Sequence, residues 1–585
     1  MTYTPAEDGV LTLVFQGDRF DKTSKAPRMY IVAGDDVSCT NKTNGDTGAQ
    51  ATASKANTDT TLTCELEKGK TYYIWPFYYN TSSVSFTVSS IKYEPIKAEM
   101  SSRNIYESNM LLQRDEPVYI DGTCTKVVTE GTAELINEAS GETVQTKHIN
   151  FDTNEWNVTF DAVSDYENTY TIKLSANGVE DITYTNVIFG DQYIFSGQSN
   201  MWMSVASYKS IDKDEYSADA VKPHLTDKIR LMYTPGQSDY GTNVLQYNAQ
   251  NKKPWRDFST YANIQDVGAP AYSAAIRLHE ETGVPIGVID NAYPGSYISS
   301  WFDSALKIDN CNTGKNSNAN ERNWFCGRIY PLRNLRIKAV FWYQGEADAA
   351  TKYHDNPYSY YSEMMPKLID TWRELFNNQN MGFYYTQLSR IGSTIVDENN
   401  PDTGAAGKMP IKLAQTDIYR NLADKTNIGV ASTLDLYGNH DAGGSRNCRT
   451  DIHLAQKQFV GERYAAMALA DIYGKTEYKN GSALYKMGPM YKESAVNGSC
   501  VEVKFDCNGS LAIMPSSRYT DSIGETKIAS GEINPNVLNE FEILDNEGTW
   551  HSASAEITSE DTVTVSCDEV SEPKGVRYCG KDYPE

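Results

Sequence analysis

Over its first third the chain carries short apolar runs cut by polar turns. Residues 11–15 (LTLVF), 72–75 (YYIW) and 84–88 (VSFTV) read as strands, and an Asn/Asp/Thr/Gly-rich stretch fills positions 41–60. Side chains on a strand alternate between its two faces, so short runs at this spacing predict a β-sandwich-type module over residues 1–96. Such a module ahead of an enzyme is either glycan-binding or a spacer. Residues 97–188 are again strand-rich, with 117–120 (PVYI) and 169–174 (TYTIKL), and predict a small β module. From 189 to 480 the period changes. Apolar runs at 193–195, 286–289, 339–343, 383–385 and 428–431 alternate with helical patterns at 272–282, 358–376 and 454–469. That rhythm predicts an α/β domain with a mostly parallel sheet and helices on both faces. Residues 481–585 return to short strands, such as 501–505 and 562–565, and predict a C-terminal β module.

Length and composition narrow the function classes. At 585 residues several domains are expected. The net charge of −24 comes from 77 acidic against 53 basic residues, and it repels polyanions, so nucleic acid is not an expected partner. No run of about 18 apolar residues predicts a membrane span. The first residues show neither a basic nor an apolar leader region. The chain is therefore expected to be either cytosolic, or secreted or cell-surface with its signal peptide removed. Forty tyrosines, against 17 Phe and 9 Trp, suit sugar stacking as well as strands. Ten cysteines include no CxxC pair and none at zinc-finger spacing, so no metal site is expected. Cys39 with Cys64 and Cys311 with Cys326 flank polar loops and would suit disulfides in a secreted protein.

The candidate chemistry starts at Ser196-Gly197-Gln198-Ser199-Asn200, where a strand gives way to a turn. A serine there presents its hydroxyl and its own N–H, as an activated nucleophile needs, although serines also simply cap helices. In an open α/β sheet functional groups sit past the carboxyl ends of strands. Gly295, Gln344 and His453 are expected at such places. His453 can take the Ser199 proton and return it to a leaving alcohol, with Asp451 holding the imidazole. The N–H groups of Ser199 and Gly295, with the Gln344 amide, can surround an oxyanion. Of the seven histidines, 148, 224, 279, 354, 440 and 551 read as surface or packing residues. Only His453 joins a neighbouring carboxylate to a place between a polar loop and the last helix, where it could also be a plain helix-start residue.

The blocks Gly197-Gln198-Ser199-Asn200-Met201, Trp342-Tyr343-Gln344-Gly345-Glu346 and Asp451-Ile452-His453 resemble those of the SGNH hydrolases, and more narrowly the sialate O-acetylesterase family of carbohydrate esterases. Residues 110–115, 284–301, 541–543 and 576–578 resemble further family segments, so the resemblance spans roughly 97–585. It implies a three-layer α/β/α SGNH-hydrolase domain, which the strand patterns flank with N- and C-terminal β-sandwich-type modules. It also implies removal of acetyl groups from an acetylated carbohydrate through an acetyl-serine, without a cofactor. Ser199 is then the nucleophile, His453 the base, Asp451 its orienter, and Gly295 and Gln344 oxyanion donors. Three departures stand out. Many SGNH enzymes place the aspartate three residues before the histidine, where this chain has Thr450, so Asp441 and Asp435 are alternative orienters. Pro294 stands where a second glycine is common. The family's usual ending beyond Glu585 is absent, which leaves a truncated C-terminus open. The competing readings are a catalytically inert glycan-binding protein and a lipid or thioester hydrolase of the same superfamily.

Overall fold

The structure, a computed structural model, describes residues 1–18, 27–33, 48–77, 84–95, 98–126, 128–209, 213–234, 253–302, 324–349, 356–389, 408–422, 425–436, 453, 456–507, 509–512, 538 and 540–579. It divides into two units. The first comprises Met1–Met100, Cys124–Thr129 and Ala176–Glu180, and the second the remainder.

In the first unit Gly9–Gly17 alternates buried and half-buried positions along its whole length, as a strand with one wet face must. It pairs antiparallel with Thr60–Leu66 and Phe86–Pro95. A second sheet runs Thr2–Tyr3, Tyr72–Phe77, Arg28–Ala33, Gly48–Thr52. Leu11, Leu13 and Phe15 of the first sheet and Met29, Ile31 and Ile74 of the second share one core.

The second unit is organised by β1 (Ile182–Gly197), sixteen residues without a break. The boundary expected near residue 188 falls inside this strand. Its first half pairs antiparallel with Tyr170–Ala176, and its second half is sandwiched between parallel neighbours. Those belong to a run ordered β2 (Thr226–Tyr233), β3 (Ile286–Ala292), β1, β4 (Ala339–Tyr343), β5 (Gly382–Thr386), β6 (Ile428–Ala431). All six are parallel. β3, β4, β5 and β6 are buried at every position, which explains their continuous apolar sequences.

Five helices matter to the site: α1 (Ser199–Trp202), α2 (Ala269–Thr282), α3 (Pro357–Leu375), α4 (Lys408–Asn421) and α5 (Lys457–Asp471). α2 stops at Gly283 in the left-handed conformation expected of a helix end. α2 packs on α5, and α3 on α4. The close approach of α2 and α5 depends on Gly461, where a Cβ would lie 2.5 Å from the Pro270 carbonyl oxygen. On β4, neighbouring residues point to opposite faces. Phe341 meets Tyr464 of α5 at 5.0 Å between ring centroids, while Trp342 meets Trp372 of α3 edge-on at 5.9 Å. The two helix pairs therefore cover opposite faces of β4.

The C-terminal segment forms one sheet from Met490–Asn497, Cys500–Asp506, Thr562–Ser566 and Ser554–Ser559, and another from Trp550–Ser552, Phe541–Leu544 and Gly575–Tyr578. Val501, Val503, Phe541, Ile543, Val563 and Val565 share its core. Among the described residues no helix is long and apolar enough to cross a membrane.

Candidate active site

β1 ends at Gly197, whose φ of 128° puts it in a region that side-chain-bearing residues rarely adopt. A Cβ there would sit 2.1 Å from the Tyr343 carbonyl oxygen of β4. The chain therefore turns out of the sheet only because residue 197 is glycine. Gln198 N–H donates to that same carbonyl at 2.8 Å. The Gln198 side-chain oxygen accepts from the N–H groups of Gly345 and Ala347, at 3.4 and 3.2 Å. Both ends of Gln198 are thus spent on the turn after β4, and Ser199, first residue of α1, is left partly exposed.

His453 meets it. Nε2 of the imidazole lies 3.0 Å from Ser199 Oγ, within the reach that proton transfer needs, although the two residues are 254 positions apart. Asp451 and Asp441 lie outside the described residues. Asp435 makes a two-pronged ion pair with Arg463 of α5, with one contact at 2.8 Å. Among the other histidines, His224 contacts Glu280 at 2.6 Å, His279 the Val284 carbonyl at 2.8 Å, and His551 both Asp545 and Glu569. His354 and His440 are outside the described residues, as are Cys39 and Cys311 of the expected disulfides.

Gly295 is exposed on the loop after β3, with φ of 67° and open space within 4 Å of where a Cβ would stand. Tyr293 N–H anchors that loop to the Gly197 carbonyl at 2.9 Å. Gln344, fully buried after β4, holds the loop from the other side. Its Nε2 donates to the Ser296 carbonyl at 3.0 Å and to Asp348 Oδ2 at 2.5 Å. Asp348 Oδ2 also accepts from Ile298 N–H at 2.9 Å. Tyr361 O–H and Gln415 reach the Gln344 carbonyl oxygen at 3.0 and 3.1 Å. Both amide hydrogens of Gln344 are therefore engaged, so it could donate to an oxyanion only by releasing a present acceptor.

Behind the serine lies a buried charged chain. Lys457, first residue of α5, donates to Asn200 Oδ1, and Asn200 Nδ2 donates to Glu346 Oε1. Lys457 and Asn200 are wholly buried and Glu346 is 9 % exposed. The Lys457 ammonium lies 5.1 Å from the Tyr343 ring centroid and 5.8 Å from that of Tyr208. Aromatic faces and a carboxylate one amide away offset the several kcal/mol that burying an ammonium costs. A second buried carboxyl, Asp290 on β3, accepts from Gly268 N–H at 2.8 Å through Oδ2. Among the described residues its Oδ1 has no hydrogen-bond partner. Burial above all, opposed by the Gly268 hydrogen bond, raises its pKa to about 7.

Sequence reasoning selected Ser199, His453, Gly295 and Gln344 and missed Lys457, Asp348 and Asp290. Asn200 and Glu346 stand within its motifs with no role legible from sequence. The four-residue spacing from Gln344 to Asp348 is the one local signal among these.

Residues 190–439 match the family described as carbohydrate esterase, sialic acid-specific acetylesterase. His453 lies beyond that match. The sialate O-acetylesterase of Mus musculus is 25% identical over 333 residues, 50% of this chain and 58% of that protein. That of Homo sapiens is 25% identical over 318 residues, 51% of this chain and 57% of that protein. The chain thus spans under two thirds of the length of these curated relatives. Among solved structures, a carbohydrate acetylesterase from Xanthomonas citri superposes with a TM-score of 0.64 at 23% identity, covering 83% of this chain and 95% of that one. At that identity the likeness speaks for the fold. Over residues 190–439, less than half of its length, the chain is thus similar to the sialic acid-specific acetylesterases among the carbohydrate esterases.

Proposed function

We propose that this chain is a carbohydrate O-acetylesterase that works through an acetyl-serine. The observation that carries the reading is the 3.0 Å contact between His453 Nε2 and Ser199 Oγ. Ser199 Oγ attacks the acetyl carbonyl carbon as its proton passes to His453. The proton then goes to the departing sugar oxygen, and water, activated by the same imidazole, releases acetate. Asp451 is our choice to orient His453. The N–H groups of Ser199 and Gly295 are the proposed oxyanion donors. Gln344 positions the Gly295 loop and joins them on exchanging an acceptor.

Opposed helix pairs on β4 support a three-layer α/β/α domain within residues 189–480. The β-rich segments 1–96, 97–188 and 481–585 are proposed as accessory modules, the first as a carbohydrate-binding one. Trp202, 39 % exposed on α1 three residues after Ser199, supports a sugar substrate, since an exposed amphipathic ring suits a pyranose face. We favour acetylated plant-type polysaccharides or oligosaccharides over sialosides, and secretion as the setting.

Acetate release from 4-nitrophenyl acetate and from acetylated xylan, mannan, pectin and sialosides tests the reading. Ser199→Ala is expected to abolish release from each substrate that the parent cleaves. Retained hydrolysis in that variant, or a preference for long acyl chains, would count against it.

A further inference from the structure

We propose that Lys457 is a positioning residue that holds the nucleophile turn and the histidine segment in register, acting through Asn200 and Glu346. The inference rests on the reading of Ser199 and His453 given above.

Three chain segments must meet for that reading to work, and this hydrogen-bonded chain touches all three. Asn200 follows Ser199 directly. Glu346 lies two residues after Gln344, in the turn that also binds Gln198. Lys457 opens α5 four residues after His453. The Asn200 amide is orientated without ambiguity, because its oxygen faces an ammonium and its nitrogen a carboxylate. An amide held at both ends fixes the rotation of the α1 turn and with it the direction of Ser199 Oγ. Lys457 cannot drift, since it is wholly buried between the Tyr343 and Tyr208 rings. The start of α5, four residues after His453 in the chain, is thereby anchored to the turn that carries Ser199. None of the three side chains is assigned to touch the acetyl group. Their effect is on the Ser199–His453 distance, and a misplacement of about 1 Å can cost on the order of a hundredfold in rate.

The test compares Lys457→Met, the charge-balanced double variant Glu346→Gln/Lys457→Met, and Ser199→Ala in the full chain. Thermal melts, kcat and KM on 4-nitrophenyl acetate, and the rate of Ser199 labelling by an organophosphonate are read for each. Lys457→Met leaves a buried carboxylate without its cation, so its melting temperature should fall. The double variant should regain most of that stability. If Lys457 positions the pair, the double variant still shows kcat and labelling reduced about a hundredfold, with KM within about threefold. Recovery of kcat together with stability would make the cluster merely structural and overturn the proposal, as would an unchanged kcat in Lys457→Met. Hydrolysis or labelling that survives Ser199→Ala would instead sink the functional reading itself.

Discussion

Two residues, Gly197 and Asp290, carry consequences that side-chain identity alone decides. Gly197 has no room for a methyl group and a φ that disfavours one. Gly197→Ala should therefore destabilise the chain by at least about 2 kcal/mol, through overpacking and backbone strain together. It should also lower kcat, because the strain is relieved by moving Ser199; denaturant melts and steady-state rates check both. Asp290 gives a pH signature. Its folded pKa is raised to about 7 against an unfolded carboxyl near 4, so the folded state binds the extra proton between those values. The sign follows: stability from this group is greatest at low pH and is lost as pH rises through about 7. Asp290→Asn mimics the neutral acid, and its oxygen can still accept from Gly268. It should melt close to the parent below about pH 4 and increasingly above it as pH rises to 8.5. A difference that is constant with pH would show Asp290 to be ionised throughout. Of this residue-scale picture, the Ser199–His453 pair was legible because both sit in short blocks of unusual composition. Asn200, Glu346 and Lys457 were not, since a contact across 257 positions leaves no local periodicity to read.

At the scale of elements, apolar period located the strands well where both faces are buried. Residues 339–343 and 428–431 match β4 and β6 to the residue. Among β1–β6 and α1–α5, two elements escaped. β2 (TDKIRLMY) opens on charged positions, and its apolar residues form no unbroken run. α4 (KMPIKLAQTDIYRN) carries a proline in its first turn and a weak apolar stripe. The expected boundary near residue 188 also divides β1, where Gly190, Asp191 and Gln192, a polar interruption in sequence, separate Val187–Phe189 from Tyr193–Phe195. They are not one in space. Asp191 is buried and held by Arg114 at 3.1 Å and by Tyr473 at 2.6 Å, so polar residues continue the strand. Helix packing supplies the prediction that belongs here. Gly461 lets α5 approach α2, so Gly461→Val should wedge them apart and cost about 1–3 kcal/mol. Because α5 also carries Lys457, the rate should fall along with the melting temperature.

For the whole molecule, the charge of −24 bears on which glycans can approach. Hydrolysis of a neutral acetylated glycan should be insensitive to ionic strength, whereas kcat/KM on an anionic one, such as an acetylated sialoside, should rise as salt screens repulsion. An opposite trend would point to a locally basic approach to the site. The change from strand-rich flanks to alternating strands and helices was readable from period alone, and so was the order of the helices α2, α3 and α5. Their partnership in space was not. Which helix shares a face with which depends on close approaches such as Gly461 against Pro270, and sequence spacing does not encode these.

The most direct test is peptide mapping of the chain after reaction with a serine-reactive organophosphonate, alongside His453→Ala. A single phosphonyl adduct on Ser199, formed far more slowly without the imidazole, is the predicted result. A label on another residue, or labelling of Ser199 at an equal rate in the His453 variant, would contradict the account.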